Sequence, residues 1–391
     1  MNRKYFILAF SITMIGTQMF DFVVKWWIVK ETGDAQILGA IIGIPAMVIA
    51  ILSFIPGVLA DIFNKKKIMI ITDLISSAAC FAAFLILIEY GFSLIVIAIT
   101  SLVLGLIKSL YAIASKGIFK NIFENSEIKS INRVQAILKQ IIKLISPVLA
   151  NILILYIKPE LFFLFNGISF LVSAILEMNF KYSTSNKIKS KLSFSTFIEQ
   201  LQQGFLVIKN SPLIINTLIL VSIANIFIGG YDIFMPMFVI EYMGSDFGYS
   251  MILTTTAIGA LIAPLLLQFF DKKKISIPLW TPVLLIMTGI IISSFSMIGC
   301  ITGGFIIGLS TTIFDVEFFT KLQLSVDEDN IGKVFGVVFL IAGVLTPLGQ
   351  LLFPLILASL VKYALFVIGA FGLVTVIIIK IWDTKRGNLI G

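Results

Sequence analysis

Hydrophobic residues run along this chain in long stretches, and polar residues gather in short clusters between them. Twelve stretches can be bounded, near 5–28, 37–60, 68–89, 93–115, 134–156, 161–180, 212–240, 249–270, 275–296, 299–320, 333–357 and 362–382. A helix needs about 20 apolar residues to cross the ~30 Å of a bilayer's hydrocarbon core, and these stretches supply them. Inside the bilayer the backbone must satisfy its own N–H and C=O groups, which leaves helices and closed barrels. The stretches lack the period-two alternation of a barrel strand. The predicted fold class is therefore an all-α membrane protein with twelve transmembrane helices.

Composition agrees. Of 391 residues 59% are hydrophobic and 13% charged, whereas a soluble domain carries roughly 25% charged residues. The charges also set orientation. With the N-terminus inside, cytoplasmic segments hold 22 of the 29 Lys and Arg residues, and outer segments hold only Lys30, Lys158 and Lys362. By the positive-inside rule both termini are expected in the cytoplasm, in a bacterial cell membrane. The net charge of +8 is then an orientation signal. No basic soluble domain exists to carry it, so no nucleic-acid partner is expected. Arg3-Lys4 before an apolar run has the form of a signal peptide, but no small-x-small site follows, and the run is read as a retained first helix. Cys80 and Cys300 fall inside spans, which argues against a disulfide framework.

The chain repeats itself. Phe63-Asn64-Lys65-Lys66-Lys67-Ile68 returns 207 residues later as Phe270-Asp271-Lys272-Lys273-Lys274-Ile275, and Leu144-Ile145-Ser146-Pro147 is echoed by Leu345-Thr346-Pro347. Between the two halves, 181–211 is polar, with Phe194, Phe197, Ile198, Leu201, Phe205 and Ile208 at helical spacing. That pattern predicts an amphipathic helix along the cytoplasmic interface. The expected organisation is a six-helix bundle over 1–180, a linker over 181–211 and a second, pseudo-symmetric six-helix bundle over 212–391.

This layout resembles the major facilitator superfamily, whose substrate site lies between the halves near the midplane. Gly57-x-Leu59-Ala60-Asp61-x-x-x-Lys65-Lys66 is similar to that family's signature loop between helices 2 and 3. Ile62 stands where the usual Arg would be, and Asn64 replaces the usual second Gly. Asn tolerates a left-handed backbone, so Asn64 is expected to preserve the turn. Glu31-Thr32-Gly33, Lys65-Lys66-Lys67-Ile68-Met69-Ile70 with Asp73, and Asp329-Asn330-Ile331-Gly332-Lys333-Val334-Phe335 resemble the macrolide-efflux-like branch. That branch is related to enterobactin-type siderophore exporters and comprises drug:proton antiporters. The resemblance implies a small-molecule substrate and protons as partners.

Asp61 ends the second span on the cytoplasmic side, and the eleventh span begins near Gly332 on the same side. A helix N-terminus carries partial positive charge and unpaired N–H groups. A carboxylate docked there in one state only would act as a gate latch. The gate candidates are Gly57, Asp61, Asn64, Lys65, Asp73 and Gly332; the rival reading of Asp61 is a solvated loop residue. The second copy of the motif keeps its lysines but has Gln268 where Asp61 would fall, so anchoring is shared by both halves and the carboxylate is not.

Charges inside spans are expensive and are functional candidates by default. Asp21 and Lys25 lie one turn apart in the first span, Lys108 in the fourth, Lys139 and Lys143 in the fifth. Asp232 follows Gly229-Gly230-Tyr231 in the seventh, and Asp315 and Glu317 lie two apart, hence on different faces, in the tenth. These form the candidate set for proton coupling or the substrate cavity, with snorkelling the rival reading of Lys25 and Lys108. Ser146, Pro147 and Pro347 are candidate hinges. No G-x-x-x-x-G-K-[ST] loop exists, so an ion gradient is the expected energy source. There is no histidine, which leaves carboxylates as proton carriers, best placed at Asp21, Asp232 and Asp315. No metal-ligand cluster or nucleophile constellation appears, so neither a cofactor nor an enzyme activity is expected.

The expected function is secondary active efflux of an amphipathic, macrolide-like organic compound by proton-coupled alternating access, performed by a monomer in the lipid bilayer. The lysines at 108, 139 and 143 would equally suit an anionic metallophore. A non-transporting immunity or sensor protein on the same scaffold is the alternative of another class.

Overall fold

A computed structural model describes residues 2–52, 64–182 and 194–385. Twelve long helices follow one another: α1 (Asn2–Thr32), α2 (Ala35–Ile51), α3 (Lys65–Tyr90), α4 (Leu94–Gly117), α5 (Asn125–Ile154), α6 (Glu160–Met178), α7 (Pro212–Pro236), α8 (Asp246–Lys272), α9 (Trp280–Ser293), α10 (Met297–Ser325), α11 (Glu328–Leu357) and α12 (Val361–Lys385). A one-turn helix, Phe119–Ile122, precedes α5, and a linker helix, Phe194–Lys209, precedes α7. The described residues contain no strand, and the fold is all-α. Among them nine helical stretches are long and apolar enough to cross a membrane, the last, Asn330–Trp382, running through α11 and α12. Helices α2 and α9 are shorter apolar helices.

Helices begin where a short polar side chain can accept an orphan N–H. Asn64 accepts from Lys67 N at 3.2 Å, Ser245 from Gly248 N at 3.1 Å and Ser296 from Gly299 N at 3.0 Å. This corrects the reading of Asn64. At φ −64°, ψ 115° it is an extended N-cap, not a left-handed substitute for glycine, because its carboxamide satisfies a helix-end amide.

Two other boundaries moved for local reasons. Lys274 leaves α8 at φ 54°, and Pro278 has no N–H to give, so the ninth helix starts at Trp280 rather than near 275. Pro236 likewise withholds a donor at the end of α7. The chain answers with a π-helical turn, Met237–Tyr242, in which Met243 N donates to Phe238 O at 3.0 Å.

The described residues group into two compact units, 1–31 with 48–193, and 32–47 with 194–391. In the first, α3 packs along α6 and against α4. An apolar cluster centres on Phe6, whose ring meets Phe119 and Phe123 edge-on at 5.1 and 5.5 Å and which includes Ile68, Met69 and Phe180. In the second, α8 and α9 pack on α10, α9 on α12, and α7 on α11. The start of α2 belongs to this unit, with Gly39 and Gly43 set against Gln350, Leu351 and Pro354 of α11. The linker helix, Phe194–Lys209, lies on α11. A Cβ added to Gly204 would stand 2.5 Å from the Lys333 carbonyl oxygen.

Candidate functional site

Two polar stripes face each other where α3 meets α6. On α3, Thr72, Asp73, Ser76, Ser77 and Cys80 recur at helical spacing and are all buried. On α6 the matching stripe is Asn166, Ser169, Ser173 and Glu177. In a membrane helix such residues turn inward because lipid cannot satisfy them. The upper part of the seam is closed by local bonds. Ser77 donates to Gly167 O at 2.8 Å, Asn166 Nδ2 donates to Cys80 Sγ at 3.8 Å, and Ser169 donates to Asn166 O at 2.8 Å.

The lower part is chemically different. Asp73 is 3% exposed and Glu177 0%, the only two carboxylates so buried among the described residues. Tyr111 of α4 donates its hydroxyl to Glu177 Oε1 at 2.7 Å. Ser173 abuts Asp73, and the Asp73 and Glu177 charges lie within electrostatic reach of each other. Asp73 Oδ2, Glu177 Oε2 and Ser173 Oγ have no hydrogen-bond partner. No cation among the described residues pairs with either carboxylate. The nearby Lys66 ammonium is held by the carbonyls of Met178 and Phe180, each at 2.8 Å, where it caps the end of α6.

A second polar seam joins α7 to α11. Asn225, Gly229 and Asp232 share one face of α7. Thr346 Oγ1 donates to Asn225 Oδ1 at 3.1 Å, and Gln350 Nε2 donates to Asp232 Oδ2 at 2.9 Å. The two helices touch backbone to backbone: a Cβ on Gly229 would meet the Thr346 carbonyl, and one on Gly349 the Ile226 carbonyl. Phe227 and Phe353 pack at 5.4 Å beside this contact, with Phe353 lying over Gly230.

The other candidates are distributed as follows. Gly57 and Asp61, with Ile62, lie outside the described residues. Lys65 lays its stem over Gly117 of α4. Gly332 is exposed and sits inside α11, which begins at Glu328, so the unpaired N–H groups belong to the turn before it. Asp21, Lys108, Lys139, Lys143 and Asp315 are exposed, and Lys25, Asp232 and Glu317 half-buried. Ser146 and Pro147 are buried within α5, and Pro347 within α11. The structure thus brings Asp73 together with Glu177 and Tyr111, two residues that the sequence reading passed over. The signal was present: Ser169, Ser173 and Glu177 recur every four residues in an otherwise apolar span, opposite an equally spaced polar stripe on α3.

A fold of twelve long, mostly apolar helices is that of a multi-pass membrane protein. The sequence model of the Major Facilitator Superfamily matches residues 6–349, and the chain belongs to that family. It is a transporter and not an enzyme. A Bacillus subtilis (strain 168) protein described as "Uncharacterized MFS-type transporter YvqJ" is 23% identical over 370 residues, covering 90% of this chain and 85% of the relative. Solved structures with the same fold include a POT family transporter in complex with 5-aminolevulinic acid (TM-score 0.75, 13% identity, 98% of this chain and 96% of that one). They also include a bacterial homologue of the iron transporter ferroportin in an inward-facing state (0.72, 15%, 97% and 98%) and the nucleoside transporter NupG (0.72, 12%, 97% and 98%).

Proposed function

We propose that this chain is a secondary active exporter. It moves an amphipathic organic compound outward by alternating access while protons move inward, working as a single chain in the cell membrane with both termini in the cytoplasm. The observation that carries the reading is the largely apolar α7–α11 seam, which holds the Asp232–Gln350 hydrogen bond and, on the same two helices, the Phe227–Phe353 contact. Ligand sites are mostly apolar with a few placed polar groups, and a carboxylate and an amide on largely apolar helices suit a greasy cargo bearing one polar or cationic group. The resemblance of the 65–73 and 329–335 segments to macrolide-efflux-like proteins supports the outward direction.

The test is flux in proteoliposomes of the purified protein, with ethidium, erythromycin and a citrate-type chelator as probes, with and without an imposed pH gradient. Gradient-driven movement of ethidium or erythromycin, weakened by Asp232→Asn, is expected. Movement of the chelator alone, lost in Lys143→Ala, would instead assign an anionic metallophore. A protein that moves none of the three under any gradient is not an exporter of this kind.

A further inference from the structure

We propose that Asp73, Glu177, Tyr111 and Ser173 form the proton-binding site of this transporter, enclosed within the first unit. The inference rests on the proton-coupled reading above and moves the proton away from Asp21, Asp232 and Asp315, where the sequence had placed it.

The argument is one of unmet bonding. Two carboxylates share a site closed to solvent, and like charges so placed in a medium of low polarity cannot both stay ionised cheaply. Buried polar atoms normally find partners, yet three oxygens here have none: Asp73 Oδ2, Glu177 Oε2 and Ser173 Oγ. Ser173 is fully buried. Its hydroxyl, beside Asp73 and Tyr111, can both donate and accept.

A single proton is the smallest ligand that supplies what is missing. On either carboxyl it removes one charge and creates one O–H donor, at no cost in volume. Tyr111 then keeps the remaining charge company through its 2.7 Å hydrogen bond to Glu177. Only an O–H bond forms on loading and breaks on release, with water as donor and acceptor on the two sides. The groups that face the pair are few. Helix α4 contributes Tyr111, α6 contributes Ser173, and Lys66 of α3 is engaged by the Met178 and Phe180 carbonyls. Tyr5 of α1 packs into the apolar cluster around Phe6 below them. The competing acids lack this setting: Asp232 already accepts from Gln350, and Asp21 and Asp315 are exposed.

The test needs no knowledge of the cargo. Infrared difference spectra of the purified wild-type protein, with buffer pH as the only variable, should show the carbonyl stretch of a buried protonated carboxyl group appearing and disappearing. Asp73→Asn and Glu177→Gln should each abolish or displace that band while Asp232→Asn leaves it in place. Tyr111→Phe, which keeps the ring, should shift the band without removing it. This variant keeps the proposal falsifiable if a carboxylate variant fails to fold. A band unchanged in Asp73→Asn, Glu177→Gln and Tyr111→Phe overturns the assignment. A band that responds to sodium chloride at fixed pH rather than to pH assigns a sodium site and overturns it equally. If the band behaves as expected but wild-type ethidium flux ignores the pH gradient, the site stands and the exporter reading falls.

Discussion

The backbone contact between α7 and α11 makes a sharp prediction for Gly349→Ala. A methyl group on Gly349 would overlap the Ile226 carbonyl oxygen, 2.9 Å from its carbon and 3.1 Å from the Ile226 Cα. These are backbone atoms, so no rotamer change can move them aside. Restoring ordinary contact requires the helices to part by roughly 1.5 Å. That displacement stretches Gln350–Asp232 from 2.9 Å and Thr346–Asn225 from 3.1 Å beyond useful hydrogen-bond length. Overpacking costs about 1–3 kcal/mol, and each interhelical hydrogen bond in a membrane protein adds about 0.6 kcal/mol. The expected loss is therefore about 2–4 kcal/mol. Thermal unfolding in detergent micelles, followed by tryptophan fluorescence, measures it. Gly332→Ala on the same helix is the internal control. No atom lies within 4 Å of its added Cβ, and replacing a helical glycine gains up to about 1 kcal/mol. If Gly349→Ala melts with the wild type, or Gly332→Ala falls as far, the close-approach argument is wrong.

Other variants probe other parts of the fold. Phe6→Ala should lower stability by about 3–5 kcal/mol, since it empties the centre of the cluster formed by Phe119, Phe123 and Phe180; the same melting assay reads it, and a loss below that of Leu8→Ala, an exposed residue, would count against the cluster. Tyr111→Phe removes the hydroxyl that reaches Glu177 and leaves a buried acceptor unmet, at a cost of about 1–3 kcal/mol; a melting temperature equal to wild type would show the bond to be idle. Lys66→Met, keeping the stem but losing two bonds to carbonyls at the end of α6, should cost about 1–2 kcal/mol. Lys67→Met, at an exposed neighbour, should cost less than half of that.

The twelve helices could be read from the chain because hydrocarbon imposes one length on every span and charge is concentrated in the connections. The breaks could not. Nothing in Met237–Tyr242 announces a π-turn; it follows from Pro236 meeting residues buried on every side. Asn64 looked like a glycine substitute because motif position was weighed above its free side-chain oxygen. The site divided in the same way. Asp73 was legible as a carboxylate inside a span, but Glu177 stood three residues from the predicted end of its span, where position alone suggests an interfacial group. What identifies it is the partner across the seam, and pairing between α3 and α6 spans about a hundred residues of sequence. Conversely, Lys139 and Lys143 drew attention as mid-span charges, and the structure leaves both on an exposed face of α5.

Lys66 has a consequence for how the protein is made. It belongs to the basic run Lys65–Lys67 that opens α3. In the finished fold the same ammonium is held by carbonyls at the end of α6, a helix synthesised some hundred residues later. Until α6 arrives, Lys66 is hydrated and Asp73 faces a groove without Glu177. The same helix that holds Lys66 also brings Glu177 and Ser173 to Asp73. Chain order thus gives the first bundle a last step: a ribosome-bound chain truncated before α6 should be inserted in the correct orientation and still leave Asp73 open to solvent.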